Sequence, residues 1–168
     1  MSGLNARRFT RKHCRAYTYC WGREGRSIKG LPGLKIVKFD IGTESEGYTR
    51  ELRIIANRDG NVLELALEAA RLKCVKRCQA LFGKRYHARI CVYPHRIFRE
   101  HKQAKADRIS TGMRLAFGVP LIRAAAVKKG QLLVLVRHSH ERMTNCQLKL
   151  LFRTVRCQFP VPCLVSSM

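Results

Sequence analysis

From Pro94 to Pro120 the sequence reads as one long basic loop, and a loop of about 25 residues constrains the rest of the chain more than any single helix or strand does. A folded domain tolerates such a loop only if rigid elements hold its two ends, so the flanking sequence has to supply a mount. The approach is already basic, with Arg85, His87 and Arg89. His95, Arg96, Arg99, His101, Lys102, Lys105, Arg108 and Arg114 then follow inside the loop. Tyr93, Phe98, Met113 and Phe117 are interleaved with these cations, and Gly112 and Gly118 punctuate the backbone. Cations meet phosphates, rings stack on bases, and glycines let backbone N–H groups come close. An extended polyanion is therefore expected to lie against this stretch.

The charge of the whole chain points the same way. Its 34 Lys and Arg against 11 Asp and Glu leave a net charge of +23, and a compact domain with that charge repels itself unless a polyanion neutralises it. Nucleic acid is the leading partner. With 168 residues, 46% of them hydrophobic, the chain can bury a real core, which excludes disorder throughout. No apolar run approaches the roughly 18 residues of a membrane span. The basic N-terminus lacks the continuous apolar segment of a secretory signal, so a cytosolic protein is expected, although an Arg-rich, acid-poor start also fits an organellar transit peptide.

Eight cysteines invite a zinc or disulfide reading that their spacing does not support. No C-x-x-C pair occurs, and His13, Cys14 and Cys20 are the nearest approach to a ligand cluster. No metal or cofactor is expected. Cys74 and Cys78, one helical turn apart, read as small core residues. A two-metal nuclease would have to draw its carboxylates from Asp40, Glu64, Glu68, Glu100 or Asp107, and these have no diagnostic spacing. An enzyme is not expected.

Residues 1–33 read as a basic, aromatic arm, with Arg7, Arg8, Arg11, Lys12, Arg15 and Tyr17 placed to order themselves on RNA. Residues 34–168 read as a single domain that includes the basic loop 94–120. Leu34–Ile41 is expected to be a first core strand and Tyr48–Ala56 a weaker second one. Asn61 has the character of a helix cap, with Glu64 three residues on in the capping-box position. Leu63, Leu67, Ala70, Cys74 and Cys78 follow at helical spacing up to Gly83, leaving Arg71, Lys73, Lys76 and Arg77 outward.

Arg85–Tyr93 alternates, with Tyr86, Ala88, Ile90 and Val92 on a packing face and Arg85, His87 and Arg89 on a face that can bind. Beyond Pro120, two strands are expected either side of Lys128–Gly130, the second apolar enough to be central in a sheet. Thr144 and Gln147 open a second helix carrying Leu148, Leu151, Phe152 and Val155, and the last ten residues read as an irregular tail. Strands and helices do not alternate regularly, so the fold class is α+β, one sheet bearing two helices.

Several segments carry a resemblance: CRAYTYC, KGLPGLKIVKFDIG, ALEAAR, HARICVYPHRIFRE followed by ADRISTGMRLAFGVP, and VKKGQLLVLVR. They resemble the universal large-subunit ribosomal protein sixteen family, called large-subunit protein ten in eukaryotes, on its archaeal and eukaryotic branch. The resemblance implies a compact α/β-hammerhead type of α+β fold, no enzymatic activity, and a place in the cytoplasmic large ribosomal subunit near the 5S rRNA, among neighbouring ribosomal proteins. It implies a tRNA-facing loop of Arg99, His101, Lys102, Lys105 and Arg108, which helps position A-site and P-site tRNA near the peptidyl transferase centre. Thr111, Gly112, Met113, Arg114, Phe117 and Gly118 correspond to an rRNA-bound turn beneath it, and the arm, Arg85, His87, Arg89, His95 and Arg96 join the rRNA-binding set. Leu115 stands where the family pattern has glycine and Val119 where it has a basic residue. The alternative is an RNA-binding module or RNA chaperone outside the ribosome.

Overall fold

The computed structural model of the chain describes residues 17–19, 29–44, 47–100, 118–139 and 145–167. In chain order the elements are β1 (Tyr17–Tyr19), β2 (Asp40–Gly42), β3 (Arg50–Ala56), β4 (Gly60–Leu63), α1 (Glu64–Phe82), β5 (Tyr86–Ile90), β6 (Arg96–Glu100), β7 (Val119–Val127), β8 (Leu132–His138), α2 (Asn145–Arg156) and β9 (Cys163–Ser167). The class is α+β with two helices among the described residues, as the sequence indicates. Its strands form two antiparallel sheets where one was expected: a four-stranded sheet ordered β1-β6-β7-β4 and a five-stranded sheet ordered β2-β5-β8-β3-β9.

β8 is apolar enough to be buried on both faces, and it occupies the centre of the five-stranded sheet between β5 and β3. Leu52 and Ile54 of β3, Ala88 and Ile90 of β5, and Val134 and Val136 of β8 form its inner face. Against that face pack Leu67, Ala70, Cys74, Cys78 and Phe82 of α1, at the helical spacing read from the sequence, and Phe152 and Val155 of α2. Val62, Ala125 and Val127 of the four-stranded sheet enter the same cluster, so one core joins both sheets. Cys74 and Cys78 are buried with their Sγ atoms 3.8 Å apart. Their mutual contact and burial push the Cys78 thiol far above its usual range, which keeps it an inert core group. A second, smaller cluster of Leu63, Phe98, Ile122 and Ala124 lies on the other face of the four-stranded sheet.

Several expectations change. Of Leu34–Ile41 only the last two residues enter a strand: the Lys35 N–H donates to the Glu64 side chain rather than to a ladder, and Val37 points to solvent at 79% exposure. The segment expected to be the weaker strand, β3, is instead paired on both sides, to β8 and to β9. Asn61 does not cap α1. It lies within β4, opposite Ala126, and the helix begins at Glu64 after an uncapped Leu63. Pairing along β7 satisfies the backbone that a capping box would have served, so the tertiary ladder overrides the local signal. The terminal tail contains β9, because Cys163–Ser167 is extended and completes the free edge of β3. Tyr17–Tyr19, read as part of an arm, is a strand on the edge of β6. The basic loop is also shorter than read, since Arg96–Glu100 is β6 and β7 starts at Val119. Those two strands are antiparallel neighbours, so both roots of the remaining loop stand side by side at Glu100 and Val119.

Candidate nucleic-acid interface

The face of the five-stranded sheet turned away from the helices carries three arginines, and sheet register sets what each one meets. Arg89 of β5 stands opposite Asp40 of β2 and donates to its carboxylate. Arg137 of β8 stands opposite Glu51 of β3, and its Nε donates to Glu51 Oε1 at 2.8 Å. Arg53, two residues along β3, donates to the other Glu51 oxygen at 2.6 Å. Glu51 is thus held between two guanidinium groups, Arg53 first and Arg137 second, and its carboxyl lies below the usual range. Gly42 allows this edge to form: its φ is +95°, and a Cβ there would sit 2.1 Å from the Tyr86 carbonyl oxygen.

The four-stranded sheet holds its arginines differently. Arg96 on β6 and Asn61 on β4 flank β7, whose residues between them are Ala124 and Ala126. Small side chains there leave room for Arg96 to cross β7 and donate to Asn61 Oδ1 at 2.9 Å. Arg123 of β7 donates from Nε to the Pro32 carbonyl at 2.7 Å, pinning the segment that leads to β2. Glu64, fully buried at the start of α1, accepts backbone N–H groups of Lys35 and Arg123.

Where the two sheets meet, residues 57–59 join β3 to β4 and residues 128–131 join β7 to β8. These turns are fastened to each other. The Lys129 N–H donates to Asp59 Oδ1 at 2.6 Å and the Gly130 N–H to the Ala56 carbonyl at 2.8 Å, while within the second turn the Lys128 N–H donates to Gln131 Oε1 at 3.0 Å. An open cleft of about 820 Å³ lies between them, with His95, Arg96, Lys128 and Lys129 on its walls. The His95 Nδ1–H donates to the Tyr93 carbonyl at 3.0 Å, which fixes the imidazole tautomer.

The residues read as RNA-binding from the sequence scatter across this frame. Arg85 and Arg89 are exposed and His95 and Arg96 are half-buried, while Gly118 has a φ of +89° at the foot of β7. His87 belongs by register to the outer face but is 3% exposed, with Nε2 3.6 Å from Asp40 Oδ1, so it is a buried group and not the exposed contact expected. Arg99 is also displaced from its expected role. It lies inside β6 opposite Pro120 at 5% exposure, in the mount and not in the loop. Phe98 is fully buried and offers no stacking face, whereas Tyr93 is 47% exposed and rests on the Phe39 ring at 5.7 Å.

Tyr17 pairs with Phe98 through its backbone. Arg7, Arg8, Arg11, Lys12, Arg15, His101, Lys102, Lys105, Arg108, Thr111, Gly112, Met113, Arg114 and Phe117 lie outside the described residues, as do His13, Cys14, Cys20 and Thr144. Sequence reasoning passed over Asn61 as an Arg96 acceptor and Lys128 and Lys129 as cleft residues; a K-K-G turn between two apolar strands was the available signal for the latter. Among the described residues no group of three His, Cys, Asp or Glu is placed to hold a metal ion, and no helix is long and apolar enough to cross a membrane.

The family model described as ribosomal protein L16p/L10e matches residues 15–166. The large ribosomal subunit protein uL16 of Methanoculleus marisnigri is 45% identical over 106 residues, which cover 61% of this chain and 62% of that protein. Its namesake in Thermofilum pendens is 37% identical over 139 residues, covering 80% and 82%. That of Thermoplasma volcanium is 34% identical over 168 residues, covering 95% and 89%.

Proposed function

The chain belongs to the ribosomal protein L16p/L10e family, and from that premise we propose that it is a structural constituent of the large ribosomal subunit, not an enzyme. In this reading it is cytoplasmic, held by large-subunit rRNA and neighbouring ribosomal proteins, and close to the 5S rRNA. Its described domain is a mount: the loop between β6 and β7 reaches toward tRNA and helps position it during translation. The observation that supports this best is the pairing of Glu100 with Val119, which places both roots of the loop on adjacent strands. Those strands are flanked by β1 on one side and β4 on the other, so the roots are held from both edges.

The roles divide accordingly. Lys102, Lys105 and Arg108 act on tRNA, while Arg114 and the turn around it dock on rRNA. Replacing Lys102, Lys105 and Arg108 together by alanine is expected to impair tRNA accommodation more than incorporation into subunits, measured by accommodation kinetics on purified particles. Lost incorporation with normal accommodation in the surviving particles would make the loop an assembly element. Free protein that never comigrates with large subunits at high salt would favour the RNA-chaperone reading.

A further inference from the structure

We propose that the cleft where the two sheets meet is an RNA-backbone site in its own right, taking phosphate groups on Lys128, Lys129 and an Arg96 aimed by Asn61. This rests on the ribosomal reading and assigns the RNA contact to a part of the surface separate from both the arm and the loop.

The cleft is built for a polyanion. Its two turns are fixed by hydrogen bonds from their backbone N–H groups, so little ordering is required when a ligand arrives. Lys128 and Lys129 are exposed, and among the described residues neither ammonium has a carboxylate partner. Asp59, the carboxylate in the lining, accepts the Lys129 backbone N–H. Arg96 donates to the Asn61 amide oxygen, which aims the guanidinium.

Shape and chemistry select the ligand class. The cleft is open, which suits an extended chain passing through it better than a small enclosed metabolite. Among the described residues no Phe, Tyr or Trp lines it, so stacking is left to the His95 ring and the Arg96 guanidinium, while the two exposed lysines favour phosphate. The dominant contact is then sequence-independent, to the sugar-phosphate backbone.

The test uses the full chain and large-subunit rRNA from the same organism, with affinity measured across a salt series. Wild-type protein should show a steep fall of log K with log salt. The variant Lys128→Gln/Lys129→Gln should flatten that slope by about 1.4, as two lost phosphate contacts to single-stranded RNA require, with an unchanged melting temperature because both side chains are exposed. A control variant, Arg89→Gln/Asp40→Asn on the outer face of the five-stranded sheet, removes one charge of each sign and should leave the slope within about half a contact of wild type. A wild-type slope in the lysine variant overturns the cleft assignment alone. Wild-type protein that binds no large-subunit rRNA overturns the ribosomal reading and the cleft with it.

Discussion

The outer face of the five-stranded sheet and the corner where the two sheets meet are both rich in cations, yet they hold them with opposite kinds of acceptor. On the outer face carboxylates do it, Asp40 on Arg89 and Glu51 on Arg53 and Arg137. In the four-stranded sheet neutral oxygens take part, the Asn61 amide on Arg96 and the Pro32 carbonyl on Arg123. A carboxylate orients a guanidinium and cancels its field; an amide or a carbonyl orients it and leaves the field intact. Net charge therefore says how much polyanion the chain can bind, while the acceptors say where.

The largest expected effect breaks the outer face itself. Gly42→Ala forces a Cβ onto the Tyr86 carbonyl in a backbone conformation that L residues avoid, so β2 has to leave β5. Folding stability should fall by about 3 kcal/mol, read by urea unfolding. Arg89 loses its Asp40 partner in the same event. A loss under about 0.5 kcal/mol would mean the β2 edge contributes nothing to the sheet.

Two substitutions then exchange the acceptor types. Glu51→Gln keeps the shape of the side chain but removes its charge, which releases one net positive charge on the outer face, so the salt slope of RNA binding should steepen by up to about 0.7. Asn61→Asp does the reverse for Arg96 and should flatten the slope by about 0.7. If both variants bind RNA as wild type does across the salt series, cancellation is not what separates the two regions.

How much of this could be read in advance depends on the range over which each feature is decided. The alternation of Tyr86, Ala88, Ile90 and Val92 and the stripe from Leu67 to Cys78 are local, and both appear in the fold as read. The start of α1 was misread because Asn61 and Glu64 satisfy a local capping pattern while their partners, Arg96, Lys35 and the Arg123 backbone, lie 35, 29 and 59 residues away. The division of charges was equally hidden, since Arg89 and Asp40 are 49 residues apart and Arg137 and Glu51 are 86 apart. His87, Phe98 and Arg99 were placed on exposed surfaces because the sequence gives a residue's type and strand phase but not what covers it.

The smallest expected effect isolates a single carboxylate. Arg53 and Arg137 lower the Glu51 pKa in the folded protein, so the unfolded chain takes up a proton there at a higher pH than the native chain does. The stabilisation from Glu51 is then fully present above the ordinary glutamate value of 4.5 and is lost as the pH falls through the lower, folded value. Both arginines are about one-third exposed, so solvent screening limits the contribution to about 1 kcal/mol or less. Glu68, lowered in the same sense by Arg71, titrates alongside and would mask the effect in wild-type protein alone. Comparing wild type with Glu51→Gln removes that background, because Glu68 is common to both. In urea unfolding from pH 7 down to pH 3 the gap between the two proteins should hold above pH 4.5 and close below it. It should also narrow in high salt. A gap that persists undiminished at pH 3 would mean that Glu51 holds β3 to β8 through its paired hydrogen bonds, which glutamine alters, and that its charge acts only on the field outside.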